Sequence, residues 1–224
     1  MKWHSIIPTV VCIGLTSCTS TLIVNKEYHM GNSSPGSLSI TIKGDRFIRY
    51  SGSVEPEFGP GDSNALIWAF FKKQLVDDIK RTTLLTEVNF DTCATDAYLK
   101  EMVIEVNRQP QSMYIPRDEG VYRCSGGDRR FVLILSNVSI KTLLNLHLPK
   151  MGPFGILSIG GIPEKQLCYN AVALLWDNIE KKPIVYGQVS YSTSGFLPRI
   201  TMTEWTNVSD GFTKVIFKKT PLYK

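Results

Sequence analysis

"FVLILSNV", residues 131–138, runs for five residues without a polar side chain before reaching Ser136. A strand with one wet face would alternate, so a run that is apolar on both faces marks a strand in the middle of a sheet. Downstream, "NAVALLWDN" (170–178) and "PIVYGQVSYS" (183–192) are long, rich in Val and Tyr, and separated by the short polar "IEKK". They read as the arms of a hairpin. Upstream, Leu38, Ile40 and Ile42 alternate with Ser39, Thr41 and Lys43, giving a half-buried strand by its period of two. "KGDR" (43–46) then offers a turn into Phe47-Ile48-Arg49-Tyr50.

Between these strands lies the clearest helix, Ser63 to Thr83, with Asp62 or Ser63 available as its cap. Ile67, Phe71, Leu75 and Ile79 fall four apart, Trp68 widens the stripe, and Lys72, Lys73, Asp77 and Lys80 take the other side. "LLTEVNF" (84–90) holds a short strand. Leu99 to Val106 makes another, with Met102, Ile104 and Val106 on one face. "RQPQSMYIPRDEGVYRCSGGDRR" (108–130), polar and carrying two prolines, reads as a long surface loop. In the tail, Thr201 and Glu204 form a capping-box pair, and Trp205, Val208, Phe212 and Val215 follow at helical spacing. Asp210-Gly211 argues for a hairpin instead; the helix is the preferred reading. The expected fold is α+β: a single mixed sheet of about five strands with one or two helices packed on one face.

The start of the chain is of another kind. Met1-Lys2-Trp3-His4 carries one fixed charge, and Ile6 to Leu15 contains none. That apolar run is half the roughly 20 residues a membrane-spanning helix needs and matches the core of a secretory leader. It ends in Leu15-Thr16-Ser17-Cys18. These four residues resemble the bacterial lipobox: a branched apolar residue, two small ones, then the cysteine whose thiol accepts diacylglycerol. The resemblance implies residues 1–17 as signal peptide and a lipid on Cys18; "GNSSPGS" (31–37) and the lack of periodicity make 18–37 a lipidated tether, leaving one α+β domain over 38–224. It implies membrane attachment through the lipid on Cys18. Because Thr19 rather than an acidic residue follows, it also implies the outer membrane, facing the periplasm or the cell surface. A plain secretory leader cut near Ser17 is the competing reading.

Composition narrows the function classes. A net charge of +5 over 224 residues, scattered along the chain, gives little support for nucleic-acid binding. After the leader, Cys93, Cys124 and Cys168 remain, an odd number for an oxidising compartment. One disulfide with a free thiol and three buried thiols are both open. There is no C-x-x-C pair, no zinc-type Cys/His spacing and no phosphate-binding G-x-x-x-x-G-K-[ST] loop, so no metal or other cofactor is expected.

No catalytic residue can be nominated. His29 lies in the tether and His147 in "LNLHLP". Ser158 has Gly155 three residues before it, where a nucleophile elbow needs two. Asp177 and Glu180 read as solvated turn residues. The segment 148–163, "LPKMGPFGILSIGGIP", carries one charge and four glycines. It is expected to be a buried connection. Its second reading is an interaction loop presenting Phe154, Ile156, Leu157 and Ile159.

Two longer stretches, "LVDDIKRTTLLTEVNF" (75–90) and "ALLWDNIEKKPIVYGQVSYS" (173–192), resemble patterns in small bacterial α/β lipoproteins. Examples are the curli-secretion lipoprotein, the penicillin-binding-protein activators and the amino-terminal domain of TolB. The expected function is therefore that of a non-enzymatic cell-envelope lipoprotein that binds or assembles with other envelope proteins. The alternatives are a carrier of a small or lipidic ligand and an uncharacterised hydrolase.

Overall fold

A computed structural model of the chain describes residues 20–31, 36–50, 55–91, 98–106, 109–117, 120–123, 129–145, 164–195 and 197–224. The elements, in order, are β1 (Thr21–Val24), β2 (Ser37–Arg49), the one-turn α1 (Glu55–Phe58), α2 (Ser63–Thr82), β3 (Glu87–Phe90), β4 (Leu99–Val106), β5 (Gln109–Pro116), β6 (Phe131–Asn145), β7 (Glu164–Asp177), β8 (Lys182–Ser192) and α3 (Met202–Phe217). Six strands form one sheet in the order β1-β8-β7-β6-β2-β3. The sheet is mixed, since β2 runs parallel to β3 and β6 while the other pairs are antiparallel.

The run at 131–135 sits inside the sheet, paired on both sides, and every one of its five side chains is fully buried. Phe131, Leu133 and Leu135 face the helices, while Val132 and Ile134 face the other way. On the helix side Ile67, Phe71, Leu75 and Ile79 of α2 meet Trp205, Val208, Phe212 and Ile216 of α3 over the sheet. An aromatic cluster joins the layers: the Tyr169 ring packs edge-on to Phe71 and Phe212, with centroids 5.5 and 6.1 Å away. The Asp62 side chain caps α2, and the Glu204 carboxylate accepts hydrogen bonds from the Thr201 backbone and hydroxyl at the start of α3.

The fold is thus α+β with a mixed sheet and helices on one face, but three expectations need correction. The main sheet has six strands rather than about five, and a second sheet exists. The stretch 108–130, expected as a loop, contains β5, which pairs antiparallel with β4 and lies on the face opposite the helices. Its prolines misled because proline is excluded from central strands but not from a two-stranded ribbon. Pro110 and Pro116 stand at its ends, opposite Glu105 and Leu99. The segment expected as a tether contributes the edge strand β1, and the Tyr28 side chain after it is buried.

Asp210-Gly211, the hairpin signal, lies inside α3 for a packing reason. A Cβ at Gly211 would fall 2.1 Å from the Tyr191 ring of β8, so glycine lets helix and sheet approach. Gly187 plays a different part. Its φ is +129°, and a Cβ there would sit 2.3 Å from the Thr21 carbonyl oxygen across the β1–β8 ladder. Gly187→Ala is expected to prise β1 off the sheet and cost about 2 kcal/mol. Chemical denaturation, with hydrogen exchange at residues 21–24, measures this; unchanged protection of β1 would refute it.

Candidate functional site

The polar groups that the fold concentrates lie where β7 ends and β6 begins. Asp177, expected as a solvated turn residue, is wholly buried. Its carboxylate faces the Arg130 guanidinium at 3.3 Å and accepts the Tyr28 hydroxyl at 2.7 Å. Its other oxygen accepts the backbone N–H groups of Ile179 and Glu180, closing the turn into β8. Arg130 also stacks over Phe131, its guanidinium carbon 4.8 Å from the ring centroid. Next to it Asn178 is held in a frame: its side chain donates to the carbonyls of Tyr122 and Arg129 and accepts from the Tyr122 N–H. Glu180, by contrast, is exposed as expected. A carboxylate in a short polar turn reads as solvated; the signal that could have corrected this, an arginine 47 residues upstream, is not local.

Burial raises the hydroxyl of Tyr28 above the usual tyrosine range, and the hydrogen bond to the Asp177 carboxylate raises it further. Burial also raises Tyr122, which bonds Thr41 and Asp91, and it lifts the Asp91 carboxyl despite hydrogen bonds from Ser39 and Tyr122 that oppose the shift. This cluster is a clasp. In it Asp177 is sealed from solvent and engaged by Arg130, Tyr28 and the turn amides.

The accessible features lie on the sheet face that carries β4 and β5. Leu99 and Met113 pack onto Val132, Ile134, Val172 and Leu174. Gln111 on β5 donates to the Gln188 side chain of β8 at 3.3 Å. Beneath the ribbon a cavity of about 270 Å³ has apolar walls throughout. Met102 and Ile104 of β4 and Met113 and Ile115 of β5 form its roof; Leu174 and Trp176 of β7 with Pro183 and Tyr186 of β8 form its floor. The Trp176 indole is fixed by donating to the Gly120 carbonyl at 2.8 Å. A second cavity of about 400 Å³ at the other end of the ribbon is rich in amides: Gln111, Asn137, Asn170 and Gln188 line it. The outer surface of β4 presents Val103, 65% exposed.

Cys18, the expected lipidation site, lies outside the described residues, as do Phe154, Ile156, Leu157 and Ile159 of the expected interaction loop and His147 and Ser158. His29 is exposed. Cys168 is disulfide-bonded, with a partner outside the described residues, which narrows the two readings of the cysteines to one bridge. Among the described residues no group of three or more His, Cys, Asp or Glu side chains is placed to hold a metal ion. No described helix is long and apolar enough to cross a membrane. The ribbon over the sheet escaped the sequence reading because β5 was assigned to a loop, although Met102 and Ile104 were already placed on one face.

No protein-family model matches the chain, and no curated protein matches it. Among solved structures it is similar to a PelC dodecamer, a single-residue variant, from Paraburkholderia phytofirmans. The identity is 8% and the TM-score 0.35, over 87% of this chain and 94% of that one. A likeness at that score transfers neither a site nor a residue role.

Proposed function

We propose that this chain is a lipid-anchored, non-enzymatic protein of the bacterial cell envelope, held by a lipid on Cys18 and assembling with other envelope proteins through the β4–β5 ribbon. The observation that carries the reading is the outer surface of that ribbon. Val103 is exposed on the face of a two-stranded sheet turned away from the cavity, and neither β4 nor β5 has a second strand partner among the described residues. Such strands offer unpaired backbone groups to an incoming strand, with apolar side chains to add affinity. The disulfide at Cys168 is in keeping with an exported chain. Thr19 after Cys18, where an acidic residue would mark inner-membrane retention, argues for the outer membrane.

Two measurements test it. Mass spectrometry of the amino-terminal peptide is expected to find a lipidated Cys18 with residues 1–17 removed, and Cys18→Ala is expected to leave the protein unprocessed or in soluble fractions. An unmodified amine at another residue would end the anchor reading. For the ribbon, Val103→Lys is expected to keep the melting temperature, because the side chain is exposed, while lowering recovery of partners from detergent-solubilised envelopes by tenfold or so, the effect of about 1.4 kcal/mol. Undiminished recovery would remove the ribbon from the interface.

A second reading, a carrier of a small or lipidic ligand, is favoured by the apolar cavity under the ribbon. Its volume lies just under the roughly 300–1,000 Å³ of sites that bury a whole small ligand. The cavity lies on the face of the sheet opposite the helices.

A further inference from the structure

A third cavity, of about 230 Å³, opens on the opposite face of the sheet, between β1 and the end of α3. Its apolar walls are Leu22 and Val24 of β1, Val185 of β8, and Val215 and Ile216 of α3. Ser20 stands at one side, and Lys218 and Lys219, both exposed, line the other. Neither lysine is in an ion pair among the described residues; Lys214, one turn earlier, is already held by Asp210 at 2.7 Å. Among the described residues no acidic side chain borders this cavity.

Ser20 is tied to the body of the protein. Its hydroxyl donates to the Ser190 carbonyl at 2.6 Å and accepts the Ser190 N–H at 2.9 Å, and the β1–β8 ladder begins at the next residue. One residue, Thr19, separates it from Cys18. Chain geometry therefore limits the Cα of Cys18 to about 7 Å from that of Ser20. A lipid on Cys18 leaves almost no slack, and the corner of the domain that holds this cavity comes down on the bilayer.

We propose that the cavity between β1 and α3 is a site for an anionic phospholipid of that membrane, with the lipid phosphate on Lys218 and Lys219 and the start of an acyl chain against the apolar walls. The inference rests on the lipid-anchor reading, which brings this corner to the membrane. The volume is too small for a whole lipid, so the site takes one end and leaves the rest in the bilayer. Two lysines at an anionic surface are each worth about a fivefold change in binding.

The test uses the full-length protein extracted from membranes and reconstituted into vesicles of phosphatidylcholine, with and without phosphatidylglycerol. Hydrogen exchange is followed at residues 21–24 and 214–220. Exchange there is expected to slow several-fold when phosphatidylglycerol is present, and Lys218→Gln with Lys219→Gln is expected to abolish the difference. Both side chains are exposed, so the variant should melt with the wild type, which circular dichroism checks. Equal exchange in the two vesicle types would overturn the proposal, as would the same slowing in the variant. Slowing in phosphatidylcholine alone, indifferent to the lysines, would mean that the chain's own acyl group fills the cavity, and this too would overturn it. The mass of the amino-terminal peptide from the same sample reads the anchor separately. An unlipidated Cys18 defeats the anchor, whereas loss of the lysine-dependent difference defeats the site.

Discussion

Phe71→Asp is expected to abolish the folded state. Phe71 is fully buried at the centre of the aromatic cluster, stacked on Trp68 at 5.4 Å and edge-on to Tyr169 and Phe212. An aspartate there loses the packing of a whole ring and places a charge among apolar side chains. Either protonation or local unfolding must relieve it. Removing a buried phenylalanine alone costs about 3–5 kcal/mol, and the unpaired charge adds enough to exceed the roughly 5–15 kcal/mol that holds a typical domain together. Leu135→Asp, in the middle of β6, is expected to do the same. Lys73→Asp, on the exposed side of α2, should change stability by less than about 0.5 kcal/mol. Far-ultraviolet circular dichroism and urea titration of the three variants decide the matter. Similar midpoints for the Phe71 and Lys73 variants would mean that α2 does not pack as described.

The second large effect is expected at the clasp. Asp177→Ala removes a carboxylate that faces Arg130, accepts the Tyr28 hydroxyl and caps the β7–β8 turn. It takes that carboxylate away from a guanidinium only 8% exposed. Breaking a buried pair from one side costs about 3–5 kcal/mol, because the remaining charge stays desolvated. Changing both partners, Arg130→Met with Asp177→Asn, should cost less than Asp177→Ala alone, since asparagine still accepts from the turn amides and methionine needs no partner. The comparison is made by denaturant unfolding of both variants. An Asp177→Ala protein within about 1 kcal/mol of wild type would show that the pair contributes little.

What could be read from the sequence was what local periodicity encodes. The stripe Ile67, Phe71, Leu75 and Ile79 gave α2, and all four side chains are fully buried. The two Val- and Tyr-rich arms gave β7 and β8 in antiparallel register, with the turn where "IEKK" placed it. The apolar run at 131–135 gave the buried strand. What could not be read depends on partners far along the chain. β1 is four residues long and becomes a strand because β8 offers it an edge. β5 carries two prolines that the edges of a ribbon tolerate. The candidate site suffered most from this. Met102 and Ile104 were visible as one face of β4, but a cavity needs the opposing wall, and that wall comes from β7 and β8.

The attachment of β1 to β8 has a consequence for how the molecule comes into being. Ser20 meets Ser190 across 170 residues, and Tyr28 meets Asp177 across 149. Closing a loop of that length costs on the order of 4–5 kcal/mol in chain entropy before any contact rewards it. Among the described strands β1 is therefore among the last to find its place, since its partner there is β8. Until residue 192 has emerged the sheet lacks an edge, and α3 has no complete floor to pack on. For a chain exported before it folds, as the proposed anchor requires, this wiring leaves β1 without its described sheet partner until residues 185–188 have crossed.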